Sequence, residues 1–272
     1  MPGWFALADE LDRRIVAAAA TSATPIEGGI VYRNERLPAV RHLNSVALTT
    51  PLATELTAQR LVDLADEWLH GCPGRSLRIS DETGAERIAP GLASAGWERR
   101  RTVLMVRPGA AGPALPARDP RAREVSEREH NALMRAIFTE TDLGPGAPAD
   151  LPELLVAVAR AQHAGLAGQR FAAGEDGDLQ SMCELFLDPD VQGTAMGMVE
   201  QVATLESHRV RGLAKGVTVA AMAAAIAWGA ELIMVPADRE DWPQLIYSGL
   251  GCEVVGTVTS FFLPAPSAGD RA

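Results

Sequence analysis

VATLESHRVRGLAKGVTVAAMAAAIAWG, residues 202–229, decides the fold. It opens with a strand end, passes through a basic turn, and runs into residues 216–230, which carry no charge. Arg209, Arg211 and Lys215 cluster around Gly212 in a chain whose formal net charge is -10, and Lys215 is its only lysine. Strand, tight turn and apolar helix is a layout suited to anions. The first turn of a helix leaves backbone N–H groups unpaired, and the helix dipole adds partial positive charge there. Such an end binds phosphate. Gly212 lets backbone and ligand approach closely, Ala214 keeps the next position small, and arginine offers a planar fork that matches phosphate. The helix is apolar nearly all round, so the sequence predicts that it is buried. A plainer reading stays open, in which Arg209 and Arg211 are solvated turn residues. The turn is neither a P-loop nor a GxGxxG dinucleotide fingerprint.

Composition narrows the rest. At 272 residues the chain has room for two modest domains or one large one, each able to bury a core. Its acidic balance argues against nucleic-acid binding. Three widely spaced cysteines predict free thiols and a cytoplasmic setting. The five histidines form no ligand-spaced pair, so no metal is expected. The start has no apolar core of signal-peptide type, and residues 216–230 are too few for a membrane span of about 20 residues. No membrane association is expected.

Two halves are visible. The proline-rich stretch RPGAAGPALPARDPRA, residues 107–122, reads as a linker. Gly96, Glu98, Thr102 and Val103 stand in the same relative places as Gly251, Glu253, Thr257 and Val258. Upstream, TTPLATELTAQRLVDLADEWLHG from Thr49 parallels TLESHRVRGLAKGVTVAAMAAAIAWG from Thr204, each with a tryptophan near the helix end (Trp68, Trp228). This predicts an internal duplication. The expected ranges are a first lobe over 1–108, a linker over 109–122, a second domain over 123–265 and a loose tail over 266–272.

The second half reads as helices from Val125 (capped by Ser126 with Glu129) and from Leu151. A hairpin from Gly168 turns at Glu175–Asp178, and a further strand starts at Ala195. The helix after Gly212 follows, then the strand LIMVPAD. A helix with Asp241 as cap and Pro243 in its first turn comes next, and a strand from Cys252 closes the chain. The fold class is α+β, or mixed α/β.

At these residues the sequence resembles the GCN5-related N-acetyltransferases, the GNAT superfamily. Arg209-Val210-Arg211-Gly212-Leu213-Ala214 fits that family's Arg/Gln-x-x-Gly-x-Gly/Ala motif. LIYSGLGCE, from Leu245, resembles its second signature, with Tyr247 in the tyrosine place. Cys252 replaces the usual aromatic, and no asparagine follows the strand before Tyr247. The first half carries TELTAQ, from Thr54, where the motif would fall, with no glycine and no basic residue before Arg60. The resemblance therefore implies a tandem arrangement with a degenerate N-terminal copy. Each lobe would be a mostly antiparallel mixed sheet flanked by helices.

The resemblance implies acyl transfer from acetyl-CoA to a primary amine of a small molecule or peptide, in a monomer or homodimer. The backbone N–H of Val202 would face the thioester carbonyl, and Thr204 would contact the pantetheine arm. Arg209, Val210, Arg211, Gly212, Ala214 and Lys215 would hold the diphosphate. Tyr247 would give a proton to the leaving thiolate. Glu200 lies two residues before Val202, so alternation puts both side chains on one face, where Glu200 can take the amine's proton. Glu200 facing solvent or pairing with an arginine stays open, with Glu184 as the reserve base. Glu206 reads as structural, and Cys183 has no histidine at nucleophile-activating spacing. A non-catalytic acyl-CoA-binding sensor is the alternative reading. The carboxylates Glu184, Asp188, Asp190 and Glu200 suit a cationic acceptor.

Overall fold

The computed structural model describes residues 3–141, 150–175 and 177–263. Asp176 of the expected hairpin turn and the expected tail 266–272 lie outside the described residues. In chain order the first elements are α1 (Trp4–Ala19), β1 (Ser22–Ile26), β2 (Gly29–Arg33), β3 (Ser45–Leu48), α2 (Ala58–Trp68), β4 (Arg75–Ile79), α3 (Glu82–Ser94) and β5 (Glu98–Pro108). There follow β6 (Ala122–Glu124), α4 (Glu127–Glu140), α5 (Leu151–Gly165), β7 (Ala167–Glu175), β8 (Asp178–Val191) and β9 (Thr194–Thr204). The chain ends with α6 (Leu213–Trp228), β10 (Leu232–Asp238), α7 (Pro243–Ser248) and β11 (Glu253–Leu263). The whole is a mixed α/β chain built on mostly antiparallel sheet with flanking helices.

Contacts divide the chain into two compact units. The larger holds Met1–Ile15, Leu104–Ala237 and Trp242–Val255, and the smaller holds Val16–Val103, Asp238–Asp241 and Gly256–Ala272. These do not follow the sequence ranges 1–108, 109–122 and 123–265. The start of α1 and the end of β5 belong to the larger unit, and the end of β11 belongs to the smaller. Strand pairing is the reason: a strand joins whichever sheet satisfies its N–H and C=O groups, regardless of chain order.

In the smaller unit the strand order is β1-β2-β3-β4-β11. Residues Thr259–Leu263 of β11 run antiparallel to β4, and β3 runs parallel to β4 with α2 as the crossover. Val46, Leu61, Leu77, Ile88, Leu92, Trp97 and Phe261 form its core. In the larger unit the order is β5-β10-β9-β8-β7-β6. There β6 to β9 pair antiparallel, and β9 runs parallel to β10 with α6 as the crossover. Each unit thus contains one parallel pair bridged by a helix, as parallel neighbours require.

Alternation along β8 sorts the helices of the larger unit. Met182 packs in the cluster of α4 and α5 side chains, with Leu133, Met134, Ile137, Val156 and Ala159. Its neighbour Cys183 points the other way, its thiol 3.5 Å from the carbonyl of Val217 on α6. Even-numbered positions there face α4 and α5, and odd ones face α6. The helix α4 starts on a full capping box: the Ser126 side chain accepts from the Glu129 N–H, and the Glu129 carboxylate accepts from the Ser126 N–H. At α7 the cap differs from expectation. Trp242, not Asp241, is the N-cap, because Pro243 takes the first helical position. The helix α6 is buried along most of its length, and no helix among the described residues is long and apolar enough to cross a membrane.

Candidate functional site

The site is built where β9 hands the chain to α6. A short 3₁₀ turn, Glu206–His208, leads into it. Val210 has φ 66 and Gly212 has φ 78, so two nearby residues are left-handed. For a β-branched residue this is an outlier that costs of order 1–3 kcal/mol. Val210 gains nothing from burial, being 99% exposed. What the conformation achieves is to turn the chain so that α6 begins uncapped. Gly212 supplies no side-chain cap, and among the described residues the amides of Leu213, Ala214 and Lys215 make no hydrogen bond. Successive free amides in a right-left-handed turn form an anion-binding concavity. The turn is open, since a Cβ built on Gly212 would meet nothing within 4 Å.

Charged side chains ring this turn. Arg209 and Arg211 are 47% and 50% exposed, Lys215 is exposed and Ala214 is half-buried. Arg209 lies 3.9 Å from Glu206, a surface pair of little weight, in keeping with a structural role for Glu206. Arg211 Nη1 lies 3.4 Å from Glu175 Oε2. Arg121, from the proline-rich stretch, was not singled out by the sequence. It donates to the Arg211 carbonyl at 3.3 Å, to Glu175 at 2.6 Å and to Asp119 at 3.0 Å, bracing the turn from behind. No motif marks it, since its role depends on β6 and β7 meeting beside α6.

Upstream of the turn the parallel pair parts. The register of β9 and β10 covers Met196–Met198 and Leu232–Met234, yet β9 continues to Thr204 and β10 to Asp238. Pro236 lies in the stretch of β10 past its register with β9 and has no N–H to offer a neighbour. In the same stretch β9 bulges. Glu200 pairs with Glu184 and Ala203 with Met182, so Gln201 and Val202 together oppose Cys183, with Gln201 at φ 54. Strict alternation fails here. Glu200 shares its face with Ala203 rather than with Val202, because the extra residue shifts the register by one. Val202 is a bulge residue, half-buried. The Thr204 hydroxyl is 2.8 Å from that of Ser181, so a side chain already occupies it.

Glu200 is the most perturbed carboxyl of the site. Its Oε2 is inaccessible and has no hydrogen-bond partner, although the residue as a whole is half-buried. Burial, with the charges of Asp12 and Glu184 nearby, pushes its pKa up to about 8. Glu184 is 0% exposed and accepts from His163 Nε2 at 3.1 Å. Asp188 is paired with Arg14 of α1 at 3.0 Å, so it is not a free charge for a cationic acceptor. Burial, and then Glu184, push the Cys183 thiol well above its ordinary range, which removes it as a nucleophile.

Tyr247 is 5% exposed in the last turn of α7. Its carbonyl accepts from the amides of Leu250 and Cys252, both at 3.0 Å, which folds the chain tightly behind the helix. The fully buried Arg107 holds this region. It donates to the carbonyls of Leu250 at 2.9 Å, Pro113 at 2.6 Å and Pro108 at 3.1 Å. Burial without a carboxylate partner lowers its pKa.

No protein-family model and no curated protein matches the chain. Solved structures do. A GCN5-related N-acetyltransferase from Kribbella flavida matches with TM-score 0.63 at 19% identity, covering 99% of each chain. A functionally unknown conserved protein from Staphylococcus epidermidis matches with TM-score 0.64 at 11% identity, over 91% of this chain and 95% of that one. A GCN5-related N-acetyltransferase from Sphaerobacter thermophilus matches with TM-score 0.54 at 15% identity, over 76% and 69%. The chain has the fold of the GCN5-related N-acetyltransferases.

Proposed function

We propose that the larger unit is an acyltransferase that takes acetyl-CoA at the turn between β9 and α6 and acylates a primary amine of a small molecule or peptide. The observation that carries this is the uncapped start of α6. A buried helix presents free amides to an open turn, with Arg209, Arg211 and Lys215 around it. The residues fit a diphosphate. The amides of Leu213, Ala214 and Lys215 are donors without partners, and the guanidinium groups add charge. When bound, acetyl-CoA would supply an activated acyl carbon and a thiolate leaving group.

The chain's own residues divide the remaining work. Val202 stands at the bulge, where a strand amide can turn away from the ladder toward an acyl oxygen. Glu200 takes a proton from the acceptor's ammonium at its carboxyl, and its raised affinity for protons suits that task near neutral pH. Tyr247 gives a proton from its phenol, which is protonated at neutral pH. The smaller unit, with no glycine or basic residue in TELTAQ, is a degenerate copy that holds no diphosphate.

A thermal shift with acetyl-CoA tests the reading. A ligand at a hundred times its dissociation constant stabilises by about 2.7 kcal/mol. Gly212→Glu places a carboxylate in the turn and a side chain on a left-handed backbone, so this variant is expected to lose the shift. A shift kept in Gly212→Glu places acetyl-CoA elsewhere. Thioester cleavage across a panel of amines then separates an enzyme from an acyl-CoA sensor.

A further inference from the structure

Behind Glu200 lies a buried polar group that the proposed reaction does not use. Glu184 on β8 is its cross-strand partner, so the two side chains emerge side by side on the face covered by α4 and α5. Glu184 is 0% exposed, and so is His130 on α4. Oε1 of Glu184 accepts from His163 Nε2 on α5 at 3.1 Å and lies 4.0 Å from His130 Nδ1. Oε2 of Glu184 and Oε2 of Glu200 are both buried without a hydrogen bond, and neither ring nitrogen of His130 makes one.

The His163 ring is held firmly. Its centroid lies 4.5 Å from that of Phe186, tilted by 33°, and it lies against Gly168 of β7; Phe186 is fully buried. A Cβ at Gly168 would come within 2.8 Å of His163 Cε1 and Nδ1. The same Cβ would come closer still to the Leu185 carbonyl oxygen, so any side chain at 168 crowds both the strand and the imidazole.

We propose that Glu184, anchored by His163, is the positioning residue for Glu200; this rests on the role given to Glu200 above. An ionised, fully buried carboxylate needs donors on both oxygens, and Glu184 has one. Two neighbouring carboxylates cannot both ionise cheaply. One proton held by the pair relieves the repulsion between two like charges on neighbouring positions and lets one carboxyl act as donor. The His163 N–H decides where that proton sits. It stabilises the anion on Glu184, which leaves the proton on Glu200. Glu200 is thereby kept protonated until a rise in pH removes its proton, and its ionised form is the one that takes a proton from the acceptor.

The other charged groups facing this pair are Asp12 of α1, His130 of α4 and Arg170 of β7. Asp12 adds negative potential at Glu200, which favours its protonated form. His130 is held neutral, chiefly by burial, so it does not cancel that charge. Arg170 is the cross-strand neighbour of Glu184 on β7, with its Nε buried and without a hydrogen bond, and it also lies 3.9 Å from Glu127, so its positive charge stands on the Glu184 side of the pair and, with the His163 N–H, favours the anion there.

Carbon-13 titration of the glutamate carboxyls tests the proposal, with Glu200 assigned by its absence in Glu200→Gln. Glu184→Gln is expected to lower the midpoint of Glu200 by about one unit or more, a tenfold rise in its ionised-to-protonated ratio at fixed pH. His163→Phe removes the donor, sends the proton to Glu184, and is expected to lower the same midpoint. His163→Gln keeps an N–H donor and is expected to restore most of it. The His163 pair decides the matter if Glu184→Gln fails to fold. A Glu200 midpoint within about half a unit of wild type in both Glu184→Gln and His163→Phe overturns the proposal. The acetyl-CoA thermal shift is run beside it on the wild type. Its failure removes the functional reading, while the midpoints still judge the pair.

Discussion

Glu200→Gln should make the protein more stable, and more so at pH 8 than at pH 5. An ordinary glutamate near 4.5 is pushed to about 8 here. Between those values the folded state holds a proton that the unfolded chain releases, so stability falls as pH rises through the window. Linkage gives a deficit under about 1 kcal/mol at pH 5 and of several kcal/mol at pH 8. Glu200 is half-buried rather than sealed, so solvent screening reduces this to about 2–3 kcal/mol. Glutamine keeps the shape and cannot ionise, so the variant escapes the deficit. For a chain of this size that is about 5 °C in Tm at pH 8 beyond any change at pH 5. The assay is thermal unfolding of both proteins across pH 5–8, comparing their difference rather than either curve alone. Groups outside the Glu184–Glu200 pair that titrate in that window cancel in the subtraction. A gain that is the same at pH 5 and pH 8, within about 0.5 kcal/mol, refutes the claim that Glu200 carries a buried, proton-retaining carboxyl.

Two further outcomes follow from local geometry. Ser126→Ala deletes one arm of the capping box on α4 and should cost about 1 kcal/mol in denaturant unfolding, leaving the acetyl-CoA shift intact. Tyr247→Phe should lower kcat by about 10²-fold with little change in acetyl-CoA affinity, measured once an acceptor is found; equal kcat would remove its role as proton donor.

Much of the fold was legible because local signals agreed. The hairpin reading from Gly168 gave β7 and β8, the strand read from Ala195 is β9, the uncharged run gave α6, and Ser126 with Glu129 marked the start of α4. The turn at Arg209–Lys215 was legible for the same reason: its chemistry is carried by consecutive residues. Where a second element intervenes, the reading weakened. The bulge at Gln201 is invisible in the string VEQVAT, because a bulge is set by pairing with β8, and it separated the faces of Glu200 and Val202. The cap of α7 moved by one residue for a local reason, the fixed geometry of Pro243. The helix α1 was passed over entirely, yet it brings Asp12 to Glu200 and Arg14 to Asp188.

The sequence by itself determined a glycine turn ringed by basic residues ahead of a buried helix, because a glycine and basic residues at a helix start need only adjacency. It also determined the mixed class of the fold, through the order of strand and helix periods. Tertiary structure alone decided which strands complete each unit, how β9 parts from β10, and what surrounds Glu200. Glu184, His163, His130 and Asp12 come from four different elements, and a carboxyl's affinity for its proton depends on what stands beside it in space, which no linear spacing records.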